Sequence, residues 1–199
     1  MAVNHCLATP DALACPEAGA ASVATITALP RHQEGKRNML IGIMSDSHGR
    51  HERVRTALAL FDRLGVEHVI HCGDVGGIKV LDEMVGRPCR FVWGNMDDDE
   101  PGVSAYLQTI GLPKPGLPPT RLDLGGKTIA VFHGHEPEYR KALLNPTTDY
   151  ILHGHTHVAS DERVGAARVI NPGALQRAAQ YTVATLDLAT DTVEFHEIQ

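Results

Sequence analysis

The stretch MLIGIMSDSHG, Met39 to Gly49, sets the reading of the whole chain. Its first six residues are a continuous apolar run, which suits a short strand buried on both faces. Its last five are polar and contain an aspartate and a histidine two positions apart. A buried strand that ends abruptly in such residues places them in a loop at the edge of a sheet, where α/β proteins build their sites.

The same punctuation recurs downstream. Residues 51–64 follow with Val54, Leu58, Phe61 and Leu64 at helical spacing, and Gly65 ends the helix. EHVIHCGD is a second strand with its own polar tip. Residues 77–86 predict a helix with Ile78, Leu81 and Val85 on one side, and CRFVWGN is a third strand. Strands alternating with helices imply βαβ units and a largely parallel sheet. A short helix over 100–110 and a Pro-rich loop, GLPKPGLPP, come next.

The second half changes character. TRLDLGGKTIAVFHG reads as a hairpin turning at Gly125-Gly126, followed by a helix around 136–144 and the strand DYILHG. Two further hairpin-like pairs occupy 160–170 and 181–197. The expected architecture is α/β with two sheets in a layered sandwich.

Residues 1–38 are rich in Ala, Thr and Pro and carry no long apolar period, so they are expected to form a flexible tail. The domain proper is expected over 39–199. The formal charge is −6 without a block of Lys or Arg, which argues against a long duplex nucleic-acid footprint. An anionic small substrate would then need local positive charge, such as metal ions. Cys6, Cys15, Cys72 and Cys89 show no CxxC spacing and read as reduced thiols. With no apolar run of membrane-spanning length and no basic, apolar leader, the expected location is cytoplasmic and no membrane partner is expected.

Five polar clusters sit directly after strands: SDSHG, GDVGG, GNMDDD, HGHE and GHTH. They offer seven donors: carboxylates Asp46 and Asp74, the amide oxygen of Asn95, and the imidazoles of His48, His133, His155 and His157. One four-coordinate zinc would leave three donors over, whereas two ions sharing a bridging carboxylate use all seven. Each dipeptide is common on its own. Their order and their common placement at strand ends make the metal reading.

The ordered set DSH, GD, GN, HGH and GHTH resembles the calcineurin-like metallophosphoesterase superfamily, and in detail the YfcE-like phosphodiesterases, over roughly 39–199. The resemblance implies a four-layer α/β/β/α sandwich of two mixed sheets with a dinuclear centre on its rim. It assigns Asp46, His48, Asp74 and His157 to one ion, and Asp74, Asn95, His133 and His155 to the other. The ions implied are divalent transition metals, manganese foremost, with iron, zinc, cobalt or nickel as alternatives. The implied reaction is hydrolysis of small phosphodiesters, and some monoesters, by a hydroxide shared between the ions. A non-catalytic protein-binding scaffold of the same fold, like the retromer subunit, is the alternative.

Two departures matter. Many relatives carry GNHE or GNHD, whose histidine aids the leaving group; here the stretch is GNMD and Met96 cannot donate a proton. A family loop usually written NPGS is NPGA at 171–174, so Ala174 brings no hydroxyl. The remaining candidates for catalysis are His135, which either faces substrate phosphate or is solvated, and Asp97, which either orients Asn95 or a ligand histidine or belongs to an exposed acidic turn. His71 and His153 are expected either as hydrogen-bonded buried histidines or as supports behind the ligands. A homodimer is open.

Overall fold

A computed structural model gives the fold and describes residues 39–97 and 101–199; the expected tail over 1–38 lies outside the described residues. The elements run β1 (Leu40–Met44), α1 (His51–Leu64), β2 (His68–His71), α2 (Ile78–Glu83), β3 (Cys89–Phe91), α3 (Pro101–Ile110), β4 (Thr120–Leu124), β5 (Lys127–Val131), α4 (Pro137–Leu144), β6 (Tyr150–Leu152), β7 (Ser160–Val164), β8 (Ala167–Asn171), β9 (Thr182–Asp187) and β10 (Thr192–Glu197). They form two five-stranded sheets, ordered β10-β9-β1-β2-β3 and β4-β5-β6-β8-β7. Both are mixed. The parallel runs are β1-β2-β3 and β5-β6-β8, and the hairpin strands pair antiparallel.

Side-chain alternation sorts the layers. Ile41 and Ile43 of β1 and Ile70 of β2 point between the sheets, where they meet Ile129, Val131, Leu152 and Ile170. The opposite face of the first sheet, with Met44, Val69 and Phe91, packs on Val54, Leu58 and Phe61 of α1, Val80 and Leu81 of α2, and Leu107 of α3. The outer face of the second sheet, with Ala130, Phe132, Ile151 and Val169, packs on Tyr139, Ala142 and Leu143 of α4. The result is the four-layer α/β/β/α sandwich, and apolar strand runs are continuous because both faces are covered. Gly42 has a steric reason: a Cβ there would lie 2.7 Å from the Phe61 ring.

Some expected faces are corrected. On α1 the buried set is Val54, Ala57, Leu58 and Phe61, while Leu64 is 41% exposed at the C-terminus. The second helix is shorter than 77–86. It buries Val80 and Leu81 with the adjoining Met84, and leaves Ile78 and Val85 outside, 44% and 42% exposed. The flanking Gly77 and Gly86, both at positive φ, bound a segment too short for the expected stripe to form. Among the described residues no helix is long and apolar enough to cross a membrane. Cys72 and Cys89 are buried free thiols.

Candidate metal centre

Every donor singled out in the sequence lies two to five residues beyond a strand C-terminus: β1 ends at Met44, β2 at His71, β3 at Phe91, β5 at Val131 and β6 at Leu152. The parallel pairing of β1 and β2 continues into their loops. Asp46 N–H donates to the Gly73 carbonyl (3.0 Å) and His48 N–H to the Asp74 carbonyl (2.9 Å). Gly154 N–H donates to the His133 carbonyl (2.8 Å), which joins the two loops of the second sheet. The sheets meet where Gly154 presses on the tip of β1; a Cβ there would overlap Ser45 Oγ and come within 2.6 Å of Asp46 Oδ2.

The local conformation differs from the expectation for DxH and HxH. An extended backbone would project alternate residues to one side. Instead Asp46, His48, Asp74, His155 and His157 all have left-handed backbones, with φ of 53°, 43°, 51°, 69° and 59°. Non-glycine residues rarely adopt this region, and it clusters at functional sites where surrounding structure enforces it. The turns, rather than strand alternation, swing Asp46, His48, Asp74 and His157 together and leave His155 at the rim.

Asp74 Oδ2 lies 3.6 Å from His48 Nε2 and 3.5 Å from His133 Nε2, midway between two halves of the cluster. Its other oxygen accepts from the Met96 N–H (2.9 Å). Asp46 Oδ1 lies 3.1 Å from His157 Nε2 and 4.0 Å from both His48 Nε2 and His133 Nε2. Its Oδ2 accepts from the His155 N–H (3.0 Å). Two tight donor groups result, Asp46–His48–His157 and Asp46–Asp74–His133. Asn95 Oδ1 lies 3.1 Å from His133 Nε2, on the second group. The His155 ring stands 5.0 Å from that of His133, exposed at the rim and outside both tight groups.

The hydrogen-bond inventory tests whether cations fit. His133 Nδ1 faces the Cys72 carbonyl (2.8 Å) and His157 Nδ1 faces the Arg177 carbonyl (3.1 Å). A carbonyl only accepts, so each Nδ1 carries a proton, and in the neutral imidazole this leaves the Nε2 lone pair free for a cation. Those lone pairs converge on Asp46 Oδ1, Asp74 Oδ2 and Asn95 Oδ1, which are acceptors too. Asp46 Oδ1 is buried and has no hydrogen-bond partner. Acceptors facing acceptors repel unless something positive lies between them, so the residues fit divalent ions well.

Burial lowers the His48 and His155 pKa values, and neutral imidazoles are what a metal requires. Burial would raise the Asp74 pKa, yet His133, the Met96 N–H and His48 together bring it down to about 2. Burial likewise opposes a charged His133, but Asp74, the Cys72 carbonyl and Asp46 outweigh it and raise its pKa.

Asp97 acts through backbone groups. Neither Asn95 nor a ligand histidine is among its hydrogen-bond partners. Its oxygens accept backbone N–H groups of Val75 (3.0 Å), Gly76 (2.8 Å) and Gly94 (2.9 Å), so it ties the loop carrying Asp74 to the loop carrying Asn95. His135 sits at the rim, its ring 5.4 Å from that of His133 and its side chain 37% exposed.

His71 receives the Gly73 N–H at Nδ1 (3.2 Å), so its proton is on Nε2, donated to Ser47 Oγ (2.8 Å). The Ser47 hydroxyl in turn donates to the Val75 carbonyl (2.9 Å). Burial drives the His71 pKa down to about 3. His153 donates from Nδ1 to the Gly154 carbonyl (3.1 Å) and its ring packs 4.8 Å from Tyr139, on the α4 side and away from the donors.

Three supports escaped sequence reading. Glu136 accepts the N–H groups of His133 (2.8 Å) and Gly134 (2.7 Å) and so pins the HGH loop. Asn171 donates to the Gly154 carbonyl and Thr156 Oγ1, both at 2.9 Å, and so pins GHTH. Arg177, at a φ of 56°, turns its carbonyl toward His157. Glu136 and Asn171 were in view in HGHE and NPGA, but nothing in those strings marks a carboxylate or amide as a backbone clamp. Ala174 is buried and its carbonyl accepts the Thr182 N–H (3.2 Å).

Comparison with known proteins agrees with this geometry. A family model described as the calcineurin-like phosphoesterase superfamily domain matches residues 39–191. The chain is 30% identical over 138 residues to phosphodiesterase MJ0936 of Methanocaldococcus jannaschii, covering 68% of this chain and 83% of that protein. The solved structure of an archaeal phosphodiesterase superposes with a TM-score of 0.72 at 27% identity, covering 80% of this chain and 99% of the other. That of YfcE, a phosphoesterase from E. coli, shares the fold with a TM-score of 0.61 at 22% identity, over 81% and 100%. Strand-tip carboxylates and imidazoles gathered in two tight groups and a matching family model over residues 39–191 lead to one conclusion: this chain belongs to the calcineurin-like phosphoesterase superfamily.

Proposed function

We propose that the chain is a dinuclear metal-dependent phosphodiesterase acting on small phosphodiesters, with manganese as the working ion. The observation that carries this reading is the buried, unpartnered Asp46 Oδ1 surrounded by imidazole nitrogens and by Asp74 Oδ2. In this reading Asp46, His48, Asp74 and His157 would hold one ion, and Asp74, Asn95, His133 and His155 would hold the other. When bound, the two ions supply an activated water and positive charge for the phosphoryl oxygens.

The chain's own residues do the rest. Two carboxylates against two divalent ions leave a positive surplus at the rim of a protein whose formal charge is −6, which favours a phosphoester anion there. The neutral imidazoles and Asn95 preserve that surplus, as further carboxylates would not. His135, with its ring 5.4 Å from that of His133, is assigned in this reading to meet the phosphate or hand a proton to the leaving group. Met96 has no proton to give, which suits diesters with good leaving groups.

Turnover of bis(4-nitrophenyl) phosphate with added Mn²⁺ is the test. Wild type is expected to hydrolyse it, and Asp74→Ala and His155→Ala to lose at least about a hundredfold. Wild-type rates in either variant at equal metal loading would falsify the assigned roles. A protein that loads metal but turns over no phosphoester would favour the scaffold alternative.

A further inference from the structure

Beside the donor cluster is a cavity of about 170 Å³ lined by Val92, Trp93, Gly94, Gly116, Pro118, His135 and Glu136. It adjoins the centre on two sides, since Gly94 precedes Asn95, and His135 and Glu136 follow His133. Its wall is mostly apolar. Trp93 is held edge-on to Phe91, with ring centroids 5.0 Å apart and planes at 82°, so the indole is a fixed surface. The polar wall is spoken for in part, because both Glu136 oxygens accept backbone N–H groups. An engineered apolar cavity of about 150 Å³ holds benzene; this one has room for one six-membered ring. His135 lines both the cavity and the rim of the centre, so a ring seated here would have its ester oxygen near the Asn95–His133 side.

We infer that this cavity is a specificity subsite that takes one planar six-membered ring of the phosphoester, making the substrate class ring-bearing esters such as aryl or pyrimidine-sized ones. The inference rests on the phosphoester reading above and deepens it. Small-molecule sites are typically concave and apolar with a few placed polar groups, and this cavity has that composition.

Gly116 provides the test. A Cβ there meets no atom within 4 Å, and its backbone is not in the left-handed region, so a larger side chain has room at the cavity wall. The metal-loaded protein would be titrated with phenyl phosphate and with methyl phosphate, reading the fluorescence of Trp93, the sole tryptophan. Phenyl phosphate is expected to bind at least about tenfold tighter and to move the emission. In Gly116→Leu the preference should shrink to within about twofold while methyl phosphate affinity and bound metal stay as in wild type; Gly116→Ala should fall between. Equal binding of the two ligands to wild type overturns the inference without any variant, as does a preference that survives Gly116→Leu. If wild type prefers phenyl phosphate yet hydrolyses no diester, the hydrolytic reading fails and the subsite stands. If it hydrolyses diesters without ring preference, the subsite alone fails.

Discussion

Replacing Asp97 with alanine removes the acceptor for three backbone N–H groups at once, those of Val75, Gly76 and Gly94. Hydrogen bonds to a charged partner contribute about 1.5–3 kcal/mol each when water is excluded. The Gly76 bond is exposed and counts for little, while the other two are half-buried, so the low end of that range applies twice. The expected loss is about 3 kcal/mol in metal-free protein. With a urea slope of about 2 kcal/mol per molar, the unfolding midpoint should fall by about 1.5 M. Asp97→Asn can keep an oxygen where Oδ2 accepts from Val75 and Gly94, and should lose about half as much because both bonds are then made to a neutral partner. Because the clamp ties the Asp74 loop to the Asn95 loop, metal affinity in the alanine variant should drop by about tenfold or more. Urea melts of the two variants and a Mn²⁺ titration measure both effects. If Asp97→Ala unfolds within about 0.5 kcal/mol of wild type and binds metal equally well, the clamp is not what holds these loops.

Glu136→Ala should cost about 2–4 kcal/mol, because it strands the N–H groups of His133 and Gly134, and should weaken metal binding where Glu136→Gln weakens it less; urea melts with metal titration would show this. Gly154→Ala forces a methyl into Ser45 Oγ and Asp46 Oδ2, so about 1–3 kcal/mol of stability and most of the metal binding should go, read by thermal melts and metal analysis. Folded metal-free protein keeps His71 neutral down to about pH 3, while the unfolded chain takes up that proton near pH 6.5. The unfolded state therefore binds more protons between these values. Stability contributed by this group is complete above pH 6.5 and falls as pH drops toward 3, by up to about 1.4 kcal/mol per unit. Melts of His71→Gln across this range should show a shallower acid decline, and an unchanged slope would remove His71 as its source.

The layers and the order of donors were legible in the sequence because each rests on a local signal. Apolar runs such as MLIGIM and YIL announce strands covered on both faces, and glycine pairs such as Gly125-Gly126 announce hairpins. The donors declared themselves by standing just past those runs. What was not legible is how they converge. An extended reading of DSH and HTH does not give the observed geometry, since Asp46, His48 and His157 meet through left-handed turns and His155, also left-handed, stands at the rim. Those turns are fixed by tertiary contacts, such as Asp46 with the Gly73 carbonyl and His157 with the Arg177 carbonyl, which join residues 20 to 27 positions apart. The same holds for Asp97, Glu136 and Asn171: a side chain's choice of a distant backbone N–H or carbonyl leaves no periodicity behind. The buried face of α2 was misread for a simpler reason, since six residues are too few for a stripe to show itself.

The proposed dinuclear centre requires Asp74 to serve both metal positions. Electron paramagnetic resonance of protein loaded with two equivalents of Mn²⁺ addresses it directly, because ions joined through a carboxylate couple magnetically. A spin-coupled pair is expected in wild type and should be lost in Asp74→Ala, with at most isolated ions remaining. Two independent Mn²⁺ signals in wild type, or coupling that persists without Asp74, would contradict it.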